Sequence, residues 1–432
     1  MPSASFTPES RRRPPNPLRI WLVKFDETLP VDSNPRLYRM GMLAEALLAA
    51  GHEVVWWAST FDHNGGRLRF SADTVCAVRP GYQLRLLHTV SGYARAVSGA
   101  RVINNLRQAF RFWAQADIAP RPDVIVCAMP TPELAWVSAE LGQRYRVPVV
   151  LDARDMWPDI FDELLSPLMR VAAWPYVTFM RCILRSAVRR AAGCTGITEP
   201  FLEWILTYAG RPRRPVDGVF PLGYQEPQVS ATDLSAASAA LPDGPTGAFN
   251  VIFLGRLNRT VLDAFDPVVK AAQILRGGPR PFRFYFAGTG DCAEALKVRA
   301  ADCPEIIFLG HVGPPVMGAL KRRGHAALLC IARRKDYQIS LSNKVFDYLS
   351  AGLPLVSHLT GLVGQLIDAA DCGLVYDNGP ELVNALTLLA MDEGLRWEKG
   401  LNARKIFEER FEAARVYISM VGYIERTASV LP

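Results

Sequence analysis

The sequence predicts an α/β chain made of two doubly wound domains. Three observations carry that prediction. Short apolar strands alternate with segments of helical periodicity, the signature of parallel sheets. The series breaks once, near Arg211–Arg214, in a proline- and charge-rich stretch, and then starts again. The chain has 432 residues, half of them hydrophobic, enough for two cores of ordinary size.

The first series opens with a strand at Arg19–Phe25, a loop at Asp26–Pro35 and a helix from Arg36 to about Ala50. In that helix Leu37, Met40, Leu43, Ala44, Leu47 and Leu48 recur at helical spacing, and Gly51 ends it. Strands follow at Val54–Ala58, Val124–Ala128 and Val149–Ala153, with a helix at Glu133–Tyr145. These make an N-terminal domain over residues 18–215. Residues 216–249 read as a linker. The second domain, residues 250–394, has strands expected at Asn250–Leu254, Phe282–Ala287, Ile306–Leu309, Ala327–Ile331, Leu353–Ser357 and Leu374–Tyr376. A final helical segment, residues 395–432, could cross back to the first domain. Residues 1–17, polar, basic and proline-rich, read as a floppy tail without the apolar run of a signal peptide.

Composition narrows the function. The net charge of +7 suits anionic partners such as nucleotide phosphates or a membrane surface. No base-reading motif accompanies it, so no nucleic-acid partner is expected. The eight cysteines (Cys76, Cys127, Cys182, Cys194, Cys292, Cys303, Cys330 and Cys372) include no C-x-x-C pair. They read as reduced thiols of a cytoplasmic protein. The six histidines are scattered, and no protein-bound metal or cofactor is expected. No apolar run is long enough to span a bilayer. Leu164–Ala192 comes nearest, with Val171–Met180 bordered by Arg170, Arg181, Arg185, Arg189 and Arg190. It reads either as a helix lying peripherally on anionic lipid, at the inner face of the plasma membrane, or as an ordinary amphipathic helix with its arginines in solvent.

Three strand-to-turn junctions in the second half could carry chemistry. Gly255-Arg256-Leu257-Asn258-Arg259 combines a glycine that admits close backbone approach with two cations suited to a diphosphate. Gly288-Thr289-Gly290 opens a helix and is an anion-site pattern; both are also common as plain turns. The strongest is Ser340–Gly352. Ser342 or Asn343 can cap a helix whose N-terminal amides face phosphate, and Lys344 adds charge in the same turn. Asp347, one turn on, can accept the hydroxyls of a ribose. The alternative is a capped surface helix with Lys344 and Asp347 paired.

The stretch Ser342-Asn343-Lys344-Val345-Phe346-Asp347-Tyr348-Leu349-Ser350-Ala351-Gly352-Leu353-Pro354-Leu355 resembles the C-terminal signature of family 4 glycosyltransferases of the GT-B fold. It is similar to the branch that builds bacterial surface polysaccharides and O-antigens. Gly255-Arg256-Leu257 resembles the family's G-R-L turn, whose arginine faces the donor diphosphate, and Arg259 is the nearest substitute for a downstream lysine. Gly288-Thr289-Gly290 resembles its G-x-G turn, Phe308–Val312 with His311 its nucleobase-side strand end, and Pro221–Tyr224 its linker motif. Glu27–Arg36, Gly51-His52-Glu53-Val54 and Asp152-Ala153-Arg154-Asp155-Met156-Trp157-Pro158 match N-terminal features. Two departures stand out. Ile339 occupies the place of the family's first acid, and Arg154 lies where many relatives have a histidine. Backbone amides near Leu341 and Ser342 are then expected to serve the hexose.

The resemblance implies two Rossmann-like domains facing a cleft. It also implies a transferase moving a sugar from a UDP- or GDP-linked donor to a glycan or polyprenyl-diphosphate-linked acceptor, with retention. Its implied donor site is Gly255, Arg256, Arg259, Gly288, Gly290, His311, Leu341, Ser342, Asn343, Lys344 and Asp347. Arg154, Asp155 and Asp32 are implied as catalytic, and Arg36 and Trp157 as acceptor-side. Two other classes stay open at this stage: a GT-B sugar-nucleotide epimerase, and a catalytically inactive binder of sugar nucleotide or polysaccharide.

Overall fold

The computed structural model describes residues 17–32, 36–62, 66–89, 99–129, 131–242 and 244–429. Most of the expected tail, the end of the first loop at 33–35 and the last three residues lie outside the described residues. The chain forms two compact units, Met1–Gly223 with Ala413–Pro432, and Tyr224–Glu412.

In the first unit the chain runs β1 (Arg19–Val23), α1 (Arg39–Ala49), β2 (Glu53–Ser59) and a small hairpin of β3 (Phe61–Asp62) and β4 (Arg67–Leu68). It continues through β5 (Thr74–Arg79), β6 (Tyr82–Leu87), α2 (Gly99–Gln115), β7 (Val124–Ala128), α3 (Pro132–Tyr145) and β8 (Val149–Ala153). Helices α4 (Phe161–Leu164) and α5 (Pro167–Arg190), then β9 (Gly193–Gly196), α6 (Glu199–Ala209) and β10 (Gly218–Val219), follow. The sheet order is β10-β9-β8-β7-β1-β2-β6-β5. All its pairings are parallel except β5 with β6 at the edge. β1, β7 and β8 are buried along nearly their whole length, as expected of strands covered by helices on both faces.

Helix α1 starts at Arg39, three residues later than its apolar spacing suggested. The reason lies in Glu27, whose carboxylate accepts the Met40 and Gly41 amides at 2.7 and 3.2 Å and so fixes the first turn. The final helix, Ala413–Ser429, buries Val416, Tyr417, Met420 and Ile424 in the core of this unit with Leu43 and Leu47 of α1.

The second unit begins with α7 (Ala231–Ala240), so the stretch expected as a linker contains both β10 and a helix. Then come β11 (Phe249–Leu254), α8 (Arg259–Leu262), α9 (Asp266–Leu275), β12 (Phe282–Ala287), α10 (Ala293–Arg299), β13 (Ile306–Gly310), α11 (Pro314–Arg323) and β14 (Ala326–Leu329). Helices α12 (Lys335–Gln338) and α13 (Asn343–Ser350), β15 (Leu355–Ser357), α14 (Leu362–Ala370), β16 (Gly373–Val375), α15 (Gly379–Met391) and α16 (Glu393–Arg410) complete it; the final helix is α17. The six strands are all parallel, in the order β13-β12-β11-β14-β15-β16. The chain order reverses between β11 and β14, and such switch points are where open parallel sheets bind ligands, beyond the strands' carboxyl ends. Phe249, Val251, Phe253, Phe284 and Phe286 fill the core on one face of this sheet.

Candidate active site

In the second unit the carboxyl ends of β11, β12 and β13 end in glycines that stack on one another. The Gly255 amide donates to the Ala287 carbonyl at 2.9 Å, and the Gly288 amide to the Gly310 carbonyl at 2.7 Å. A Cβ on Gly288 would sit 1.9 Å from the Gly255 carbonyl oxygen, and the residue has φ +150°, so side chains are shut out of this shelf. Gly290 is equally confined, 2.2 Å from the Leu257 carbonyl.

Lys344 crosses the shelf. A Cβ on Gly255 would meet its Cε at 2.1 Å, and its ammonium lies 5.5 Å from the centroid of the Phe253 ring. Helix α13 is pinned there by Tyr348, whose buried hydroxyl accepts the Leu254 amide at 2.7 Å. No carboxylate lies within ion-pair distance of Lys344 among the described residues, so the Lys344–Asp347 pair considered from sequence does not form. Burial lowers the Lys344 pKa, against the pull of the Cys330 thiol and the Asp347 carboxylate. A partly desolvated cation with no carboxylate at ion-pair distance favours the approach of an anion.

The neighbouring residues divide into engaged and available groups. Arg256 is exposed beside the shelf. Arg259 is instead committed to Asp263, at 2.7 Å along α8. Ser342 holds the N-cap position of α13 but makes no side-chain cap bond, and Asn343 is exposed in the first turn; the Val345 amide donates to the Ser342 carbonyl at 3.0 Å, and the two amides before it have no intrahelical partner by position. Leu341 is half-buried just before them, and His311 is exposed after Gly310. Asp347 is 4% exposed, and its carboxylate accepts the Tyr224 hydroxyl, which Lys321 approaches at 3.4 Å. Tyr224 closes the Pro221–Tyr224 motif, whose pattern alone carries no side-chain role. Ile339 ends the short helix α12.

In the first unit Arg154 and Asp155 directly follow the end of β8. Asp152, fully buried, accepts Arg39 through two bonds of 2.9 Å, Arg154 at 2.8 Å and the Thr195 hydroxyl at 2.7 Å. Arg154 also reaches Glu27 at 3.0 Å. Burial opposes ionisation of Asp152, but Arg39 and Arg154 together hold its carboxyl far below the usual range. One Arg154 nitrogen, Nη2, remains buried with no hydrogen-bond partner. Asp155, half-buried, accepts the Met156 amide at 2.7 Å.

Asp32 is gripped by both ends of the Arg69 guanidinium at 2.6 and 2.7 Å and accepts the Leu29 amide at 2.8 Å. Despite partial burial, Arg69 lowers its pKa. A carboxylate so engaged closes its loop and is a poor base. Arg36 lies 5.8 Å from the Tyr38 ring. Trp157 is 6% exposed, packed on Phe161 and under the Arg101 guanidinium at 4.3 Å, so its ring offers little surface to an acceptor. Sequence reasoning missed Glu27, Arg39 and Asp152 as one cluster. The only local signal was acidic residues beyond two strand ends; Arg154 bridges the two carboxylates, and the second cation on Asp152, Arg39, comes from α1, 113 residues away.

A doubly wound pair of units, one carrying a glycine shelf at its switch point, is the architecture of a GT-B glycosyltransferase. Comparison with known proteins agrees. The glycosyl transferase 4-like domain model matches residues 38–223, and the glycosyl transferases group 1 model matches residues 248–392. The chain is a glycosyltransferase, with one of these domains in each part. No curated protein matches its sequence significantly.

Among solved structures it is similar to sucrose-phosphate synthase from Thermosynechococcus elongatus, with TM-score 0.68, 15% identity, and 95% of this chain and 98% of that one covered. It is also similar to HepE from Anabaena in complex with UDP and glucose, with TM-score 0.63, 15% identity, and coverage of 96% and 100%. A third is WaaG, a glycosyltransferase involved in lipopolysaccharide biosynthesis, with TM-score 0.61, 13% identity, and coverage of 94% and 99%. At these identities the likeness is one of fold.

Proposed function

We propose that this chain is a family 4 enzyme that takes a sugar from a nucleoside-diphosphate sugar. It passes the sugar, with retention, to a glycan or polyprenyl-diphosphate-linked glycan at a membrane surface during bacterial surface-polysaccharide synthesis. The observation that carries the donor half of this reading is Lys344, half-buried over Gly255 with no carboxylate at ion-pair distance among the described residues. A diphosphate laid on the shelf meets that ammonium, Arg256 and the first amides of α13. Transfer breaks the bond between the sugar's anomeric carbon and the diphosphate oxygen, and the electron pair leaves on the diphosphate. Charge develops at that oxygen, where the lysine, the arginine and the helix amides stabilise it most. The acceptor hydroxyl oxygen bonds to the anomeric carbon, and its proton leaves with the diphosphate or to solvent.

Support for a UDP-type donor comes from HepE, which was solved with UDP and glucose. In the first unit Arg154 is assigned to an anionic group of the substrates through its unpartnered Nη2. Asp155 and Arg36 are proposed on the acceptor side; Asp32 and Trp157 are proposed to shape that side rather than to react. The polysaccharide role draws on WaaG and on the branch that the Asn343–Leu355 signature resembles.

The test is Lys344→Ala. Release of nucleoside diphosphate in the presence of acceptor should fall at least about 100-fold, the scale of losing one preorganised charge-stabilising group. The melting temperature should hold. Normal turnover in that variant would remove the assignment, and the anomeric configuration of the product, read by NMR, decides retention.

A further inference from the structure

Helix α5 turns an uncovered apolar face outward. Leu168, Val171 and Trp174 are 81%, 75% and 65% exposed, and Phe179 is 46% exposed. The face turns basic toward its C-terminal end, at Arg185 and Arg189. Beside it, α2, α3 and α5 enclose an open groove of about 420 Å³, lined by Leu106, Phe110, Trp113, Trp136, Phe179 and Ile183. Phe179 belongs to both, so groove and face are continuous. The carboxylate in the groove lining, Glu133, is 2% exposed and accepts the Tyr176 hydroxyl at 2.6 Å, so it offers almost no surface to the groove. The wall presented to a ligand is therefore hydrocarbon and indole.

Charge identifies the occupant. Helices α2 and α5 contain eight arginines and no Asp or Glu. Arg101, Arg111, Arg181 and Arg190 face carboxylates supplied by other elements. Arg107, Arg170, Arg185 and Arg189 are exposed and have no carboxylate partner among the described residues. A second copy of this face would set arginine against arginine, whereas an anionic lipid surface supplies the missing charge. None of the helices among the described residues is long and apolar enough to cross a membrane, so α5 would lie along the surface.

We infer that α2, α3 and α5 form a single docking surface for an anionic bilayer, with one lipid hydrocarbon chain seated in the Phe110–Trp136–Phe179 groove. The inference deepens the membrane-linked acceptor reading above. It is tested without donor or acceptor, so vesicle binding without transfer, or transfer without vesicle binding, separates the two.

The full chain is sedimented with vesicles of phosphatidylcholine alone and of equal parts phosphatidylcholine and phosphatidylglycerol. Binding should require the anionic lipid. Arg185→Gln with Arg189→Gln should weaken it about 30-fold, from roughly fivefold per arginine near a charged surface. Val171→Asp and Phe110→Asp, both at exposed positions, should weaken it roughly tenfold to a hundredfold. A photoactivatable phosphatidylglycerol with its reactive group on the acyl chain should label groove residues of α2, α3 and α5. Equal binding to both vesicles, or wild-type binding by the variants, would overturn the inference. So would a solution dimer that Val171→Asp dissociates, since that assigns the face to a second copy. Labelling confined to residues 168–174 would overturn the groove.

Discussion

The two units handle buried charge in opposite ways. In the first, Asp152 is enclosed by Arg39, Arg154 and Thr195, and Glu27 by Arg154 and two helix amides. In the second, Lys344 lies half-buried over a glycine shelf, with Asp347 one turn away and no carboxylate at ion-pair distance among the described residues. Burial alone therefore does not mark a functional charge. The first network spends its charges on one another and so fixes the ends of β1, β8 and α1. The second leaves a cation without an ion-pair partner among the described residues, the arrangement that the proposed donor site uses.

The comparison is broken most forcefully at Asp152. Asp152→Ala leaves two guanidiniums facing each other in a dry site, and should lower unfolding free energy by about 3–5 kcal/mol, read by urea denaturation. Acid gives a smaller effect of the same sign. Asp26 is held at about 2; burial opposes this, but Lys24 and Arg101 overcome it. A depressed carboxyl contributes stability that is complete above its unfolded value, near 3.9, and is lost as pH falls through the folded value. Urea midpoints should thus be steady down to about pH 4 and drop between about pH 4 and 2, by about 2 kcal/mol from this group. Midpoints already falling between pH 6 and 5 would mean that the carboxylates are less firmly paired than their geometry indicates. Lys344→Met should do the reverse of Asp152→Ala: stability unchanged or raised by about 1 kcal/mol, with transfer lost.

What the sequence made legible was periodicity and local motif. The apolar strands β1, β7, β8, β11 and β12 stand close to where their composition placed them. Strand β9 did not, because Gly193-Cys194-Thr195-Gly196 has almost no apolar pattern. Its glycines are there for space: a Cβ on Gly196 would lie 2.5 Å from the Leu202 amide nitrogen. The edge strand β5 and helix α2 also went unread; the first alternates weakly and the second is strongly polar on part of its surface. In the second unit the Gly255, Gly288 and Lys344 motifs were visible as text, while their stacking into one shelf depends on strand order. The ties of Asp152 to Arg39 and of Asp347 to Tyr224 span 113 and 123 residues and have no local signature. The Arg181 guanidinium shows the same limit: sequence grouped it with the lipid-facing arginines, but Asp159 and Asp162 hold it at 2.8 and 2.7 Å.

Asp347 lies between the two regimes and gives the smallest effect with the sharpest reading. Its carboxylate is buried and accepts the Tyr224 hydroxyl, as the first unit's carboxylates accept their arginines, yet it sits one turn beyond the lysine. Tyr224→Phe removes the hydroxyl that donates to Asp347 and accepts from Lys321, and stability should fall by about 1–2 kcal/mol. If Asp347 holds the donor ribose, removing its competitor leaves nucleotide affinity equal or higher, and Asp347→Asn lowers it. If Asp347 serves only to anchor Tyr224, the two variants lose similar stability and neither moves the affinity for UDP. Calorimetric titration of UDP into both variants, beside their melting curves, decides whether the second unit's buried acid belongs with its lysine or with the closed network of the first.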